Sequence, residues 1–128
     1  IDKLKKVEEY RDLFHYVTTI KGVIKNKMSN HDIISSLMPG GSVIGCPKIS
    51  TIKLLNRKEK FDRNIYTGSF GIIHSNGDMR FNIMIRTLLN FKNDIELSVA
   101  SGVILGSTAK KEYNENYIKA KSLLDLFN

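Results

Sequence analysis

Both prolines of the chain and three of its nine glycines fall between Pro39 and Lys48, in the run Pro39, Gly40, Gly41, Ser42, Val43, Ile44, Gly45, Cys46, Pro47, Lys48. Such a run dictates backbone shape before any packing is considered. Pro39 closes the helix that precedes it, Gly40 and Gly41 open backbone angles closed to other residues, and Pro47 suits the first position of a new helix. A glycine loop feeding a helix N-terminus presents free N–H groups and the positive end of a helix dipole, so it can hold a carboxylate or phosphate, with Lys48 adding charge. The spacing is not that of a phosphate-binding P-loop, and no strand precedes the first glycine as a dinucleotide fingerprint requires. On turn chemistry alone the loop equally well joins two helices.

At 128 residues and 41% hydrophobic content the chain suffices for one domain with a modest core. It opens on Ile1 rather than methionine and has neither a leader pattern nor an apolar run long enough to span a membrane. We therefore expect part of a larger soluble polypeptide. One cysteine permits no internal disulfide and no zinc spacing, which fits a reducing cytoplasm. The net charge of +7 raises the question of nucleic acid. Its lysines are nevertheless scattered in small groups such as Lys58 and Lys60 or Lys110 and Lys111, with no interleaved aromatics, which reads as a solvated surface.

Val7, Tyr10, Leu13, Phe14 and Val17 approach a helical period before a β-branched run from Val17 to Ile20, leaving helix or strand open over 7–22. Ser29 or Asn30 can cap a helix through Leu37, and a second helix runs from Pro47 to about Asn56. Tyr66 to Ile73, Met79 to Phe91 and Ile95 to Leu105 read as strands. Turn signals at Ser75 to Asp78 and at Lys92 to Asp94 predict a three-stranded antiparallel meander. Alternation of Phe81, Ile83 and Ile85 with Asn82, Met84 and Arg86 places Arg86 opposite three apolar neighbours.

A last helix from Ser107 or Thr108 to Phe127 carries Glu112, Glu115 and Lys119 at i, i+3 and i+7. Two acids and a base on one stripe suit a divalent cation with an anionic ligand, or merely form a surface ion pair.

Four segments together resemble the C-terminal half of the chorismate-utilising enzymes, which include anthranilate synthase component I, aminodeoxychorismate synthase component I and the isochorismate and salicylate synthases. They are the Pro39 to Lys48 loop, Tyr66 to Gly71, Asn82 to Thr87, and the Glu112, Glu115, Lys119 helix following the Gly102 to Ser107 turn. The resemblance covers nearly the whole chain. It implies an α+β fold, an antiparallel β-sheet covered by helices on one face, with residues 1–128 forming a partial chorismate-binding domain and the N-terminal half missing. It implies one Mg²⁺ with Glu115 as ligand and Glu112 beside it or joined through water.

By the same resemblance Arg86 and Tyr66 take the enolpyruvyl carboxylate, with backbone amides of Ala100, Ser101 and Gly102 adding donors. Ser42 faces the ring, Lys119 lies close to the substrate, and His15 shuttles a proton or orients a hydroxyl, or is an ordinary core histidine. His31 and His74 match nothing. Family members commonly carry glycine where Ala100 stands, which restricts the backbone near a carboxylate hold. Gly77 to Met79 and Phe81 to Ile83 look most like aminodeoxychorismate synthase, which aminates chorismate at C4 for p-aminobenzoate and folate with ammonia from a glutamine amidotransferase. Anthranilate synthase, aminating C2 with loss of pyruvate, is the runner-up, and a noncatalytic chorismate-binding domain is a third reading. The segments that separate them are expected upstream of residue 1.

Overall fold

The computed structural model describes residues 3–10, 13–25 and 27–127, so Ile1 lies outside the described residues. The chain divides between Asp32 and Ile33 into two units.

In the first unit, β1 (Lys3–Tyr10) and β2 (Leu13–Thr19) pair antiparallel, with Val7 opposite Tyr16 and Glu8 opposite His15. The open choice between helix and strand is thus settled as strand over 7–10 and 13–19. The aromatic and β-branched residues Val7, Tyr10, Phe14, Tyr16, Val17, Thr18 and Thr19 favour the pleated ladder over a helix, whatever their period. The helix α1 (Asn30–Leu37) begins where it was expected. Ser29 Oγ accepts from the Asp32 N–H at 3.2 Å while Asp32 Oδ2 accepts from the Ser29 N–H at 3.0 Å, a reciprocal cap.

In the second unit, α2 (Gly41–Ile44) and α3 (Lys48–Lys58) flank the second proline. Pro47 is the cap residue, with ψ of 136° in the extended region, rather than the first helical residue. The glycines divide their work differently from expectation. Gly40 has an ordinary φ of −67°, and the left-handed angle falls at Gly45, φ 96°, which ends α2. Gly41 is needed for close approach instead, since a Cβ there would lie 2.9 Å from Cys46 Sγ.

The predicted three-stranded meander forms as separate two-stranded ladders. β3 (Ser69–Ile73) pairs with β4 (Met79–Ile83), and β5 (Leu88–Asn90) pairs with β6 (Ile95–Leu97), both antiparallel. The expected long strand from Met79 to Phe91 breaks between Met84 and Thr87. Here the Ile85 N–H turns back to the Ile83 carbonyl at 2.9 Å and Arg86 takes a left-handed φ of 49°. Among the described residues the strands form three two-stranded ladders, so the α+β expectation holds as mixed helix with small antiparallel ladders. Gly71 faces Phe81 in the β3–β4 ladder, and a Cβ on it would come within 2.5 Å of the Phe81 ring.

The last helix, α4 (Ala109–Leu124), ends in a 3-10 turn, Asp125–Phe127. Thr108 occupies its cap position without a side-chain bond, and the neighbouring Ser107 hydroxyl accepts from the Ile104 N–H at 3.0 Å.

The expected modest core is thinner still: among the described residues only Ala120 and Thr67 are buried. Val103, Ile104 and Leu105 in sequence are 78%, 73% and 103% exposed, so apolar side chains are present without a partner layer.

Candidate functional site

The turn from Arg63 to Gly68 brings the glycine loop to the β3–β4 ladder. Tyr66 N–H bonds to the Arg63 carbonyl at 2.8 Å and Gly68 N–H to the Ile65 carbonyl at 3.0 Å. Thr67 N–H reaches the Met84 carbonyl at 2.8 Å, and Met84 N–H returns to the Gly68 carbonyl at 2.9 Å, so the turn closes one end of the ladder. The loop touches this assembly at several points. Arg63 Nη1 donates to the Val43 carbonyl at 3.1 Å, the Ser69 hydroxyl lies 2.9 Å from Met38 Sδ, and a Cβ on Gly40 would meet Ile83 Cδ1 at 3.3 Å. Lys48, expected as an anion partner for the loop, points its Nζ at the Ser36 carbonyl, 3.4 Å away.

Tyr66 is half-buried, and burial raises its pKa, with the Arg63 guanidinium and the backbone of Ala100 pulling it partly back. Its phenol therefore stays protonated and able to donate. The same Ala100 carries its carbonyl toward α4, where Lys119 Nζ donates to it at 3.2 Å and pairs with Glu115 Oε1 at 2.6 Å. The helical spacing that put Glu115 and Lys119 on one stripe thus produces the surface ion pair anticipated as one alternative, but with the ammonium also anchored to the Ala100 segment.

Glu112 sits one turn earlier. The Ser107 hydroxyl and then the Ser101 hydroxyl hold its carboxyl below the ordinary carboxylate range, with the Lys119 charge helping and slight desolvation opposing. These hydroxyls favour the ionised form without closing a hydrogen bond on Oε2, which is shielded from solvent and has no partner. Asn116 Oδ1, one further turn along, is likewise shielded and unpartnered. An ionised carboxylate with an orphaned oxygen, next to a second carboxylate on the same helix, is a hard oxygen donor pair of the kind Mg²⁺ accepts while keeping water on its other positions. Among the described residues no group of three or more acidic, histidine or cysteine side chains completes a metal cage.

Of the residues singled out by sequence, Tyr66, Ala100, Ser101, Glu112, Glu115 and Lys119 are brought into one linked cluster. Ala100 lies outside the left-handed region, so alanine fits this position without backbone strain. Ser42, on α2, and Gly102 are exposed. Arg86 is exposed too, and among the described residues no hydrogen bond or ion pair holds its side chain. His15 belongs to the first unit, where it is exposed and its ring lies edge-on to Tyr10 at 5.5 Å.

Sequence reading gave no site role to Arg63, Thr67 or Ser107. The Glu59 to Arg63 spacing was a visible signal, since i and i+4 opposite charges pair even where a helix is ending. Arg63 Nε and Nη2 grip the Glu59 carboxylate at 2.8 and 2.5 Å, holding Glu59 below and Arg63 above their usual pKa ranges. An open groove of about 480 Å³ runs past Pro39, Ile52, Glu59, Arg63 and Tyr66, large enough for a small molecule. Of the predicted site residues only Tyr66 lines it.

The chain resembles known proteins along nearly its whole length. The chain is 34% identical over 124 residues to an anthranilate synthase component I-like protein of Synechocystis, covering 97% of this chain and 26% of that protein. It is 32% identical over 120 residues to aminodeoxychorismate synthase component 1 of Bacillus subtilis, covering 94% of this chain and 26% of the relative. A probable chloroplastic aminodeoxychorismate synthase of Oryza sativa is 32% identical over 122 residues, covering 95% of this chain and 14% of that protein. The chain thus spans about a quarter or less of the length of these curated relatives. No helix among the described residues is long and apolar enough to cross a membrane. With residues 1–125 matching the family described as chorismate binding enzyme, the chain belongs to that family.

Proposed function

We propose that this chain forms part of an enzyme that aminates chorismate at C4, giving 4-amino-4-deoxychorismate on the route to p-aminobenzoate and folate. The observation that carries the reading is the link from Tyr66 through Ala100 to Lys119 and Glu115, beside a Glu112 with an orphaned oxygen. Those groups match the two needs of a dicarboxylate substrate, a donor set for one carboxylate and a metal for the other.

In this reading Arg86 and the Tyr66 hydroxyl hold the enolpyruvyl carboxylate, with the amides of Ala100, Ser101 and Gly102 adding donors. Arginine's planar fork suits bidentate carboxylate binding. Glu115 and Glu112 would hold Mg²⁺, which neutralises the ring carboxylate when bound. Lys119 keeps the Glu115 carboxylate oriented, and Ser42 shapes the wall facing the ring. Amination exchanges the C4–O bond for C4–N, and one proton passes from the incoming ammonia to the departing hydroxyl, which leaves as water. A glutamine amidotransferase subunit or domain supplies the ammonia, and a cytoplasmic enzyme fits these reactants.

The relatives named as anthranilate synthases favour one alternative, amination at C2 with loss of pyruvate. Product analysis on the intact protein given chorismate, ammonium and Mg²⁺ separates the two. Aminodeoxychorismate upholds the proposal, anthranilate replaces it with the alternative, and calorimetric binding of chorismate without product leaves a noncatalytic binding domain. Glu115→Ala should abolish Mg²⁺-dependent activity in the intact protein, and unchanged magnesium titration would remove Glu115 as ligand. The 128-residue chain alone should form no product.

A further inference from the structure

We propose that Arg63 is a positioning residue, which fixes the Tyr66 phenol by clamping the glycine loop to the Tyr66–Thr67 turn. The inference rests on the reading above only for what Tyr66 then holds. One guanidinium joins three segments. Its Nε and Nη2 grip Glu59 at the end of α3, while Nη1 donates both to the Val43 carbonyl of α2 at 3.1 Å and to Thr67 Oγ1 at 3.2 Å. A planar fork with donors on two edges can do this, whereas a lysine ammonium on a flexible stem cannot span the same set.

Thr67 makes the clamp necessary. It is 8% exposed and takes a φ of 65°, a left-handed angle that a β-branched residue adopts only when its surroundings impose it. Its hydroxyl accepts from Arg63 and donates to the Tyr66 carbonyl at 2.5 Å. The relay therefore runs from Glu59 through Arg63 and Thr67 to the backbone of Tyr66. The guanidinium also lies close enough to draw the phenol's pKa down against burial.

The test uses the intact protein with 3-fluorotyrosine at position 66, read by fluorine NMR, together with KM and kcat for chorismate. Arg63→Met is expected to shift the fluorine resonance, move its titration upward in pH, and raise KM about tenfold with kcat little changed. Arg63→Lys, keeping the charge without the fork, should recover the titration but not the resonance position or KM. Thr67→Gly removes the hydroxyl while accepting the left-handed angle, so it should fold and give the same resonance shift. A resonance and titration unchanged in both Arg63→Met and Thr67→Gly overturn the clamp. If Tyr66→Phe leaves KM unchanged while Arg63→Met still moves the resonance, the clamp stands and the assignment of Tyr66 to the substrate fails.

Discussion

Thr67 and Arg86 stand at the same end of the β3–β4 ladder, one just before β3 and the other just after β4, and both take left-handed backbone angles, 65° and 49°. Their surroundings are opposite. Thr67 is buried, its N–H bonds to the Met84 carbonyl, and its hydroxyl is held from both sides. Arg86 is exposed, and among the described residues its guanidinium bonds to nothing. Strain that the protein's own bonds hold in place serves its architecture. Strain that leaves a bidentate donor free at a turn fits a hold for something that is not part of the chain.

The contrast breaks most readily at Arg86. In the intact protein Arg86→Ala should raise the KM for chorismate on the order of 100-fold, the loss of a charged bidentate bond, with the thermal midpoint unmoved. A fall in midpoint with unchanged KM would make Arg86 as architectural as Thr67. Next in size is Thr67→Val, which keeps the shape but removes one of the two Arg63 Nη1 bonds and leaves the Tyr66 carbonyl without its hydroxyl donor, and should cost about 1–3 kcal/mol in urea unfolding. A neutral result would mean that those bonds do not hold the turn. Arg86→Gly sharpens the comparison from the other side. It relieves a left-handed angle that nothing compensates, so the protein should gain about 1 kcal/mol of stability while losing substrate affinity.

The smallest effect is one of pH. Glu59 has a folded pKa below its unfolded one, chiefly through its hydrogen bonds to Arg63. The stability it contributes is fully present above the unfolded pKa and is lost as pH falls through the lowered folded value. Glu59→Gln should remove that share of the acid dependence of unfolding, leaving the shares of Asp32 and Glu112, also held low. Arg86 variants should leave the acid limb in place.

Much of the candidate site was legible because α4 is a regular helix, where spacing alone puts Glu112, Glu115 and Lys119 on one side. The hairpin at Asn76 and Gly77 was legible for a similar reason, since Gly77 takes the φ of 91° that such a turn demands. The break after Ile83 was not. Met84 to Thr87 contain no glycine, proline or asparagine, and the chain turns there through tertiary bonds to Thr67 and Gly68 that no local pattern encodes. The pairing of Arg63 with Glu59 was visible at i, i+4, but its bonds to Val43 and Thr67 were not, because only folding brings an α2 carbonyl and a turn hydroxyl to one guanidinium.

The thinness of the core has a consequence for how the elements come apart. With Ala120 and Thr67 as the only buried residues among those described, little shared burial couples one ladder to the next. Amide hydrogens should then exchange with solvent in separate local openings, hairpin by hairpin, and not in one global event. Whatever covers Val103, Ile104 and Leu105 in the intact protein would fuse those openings into a single slow one.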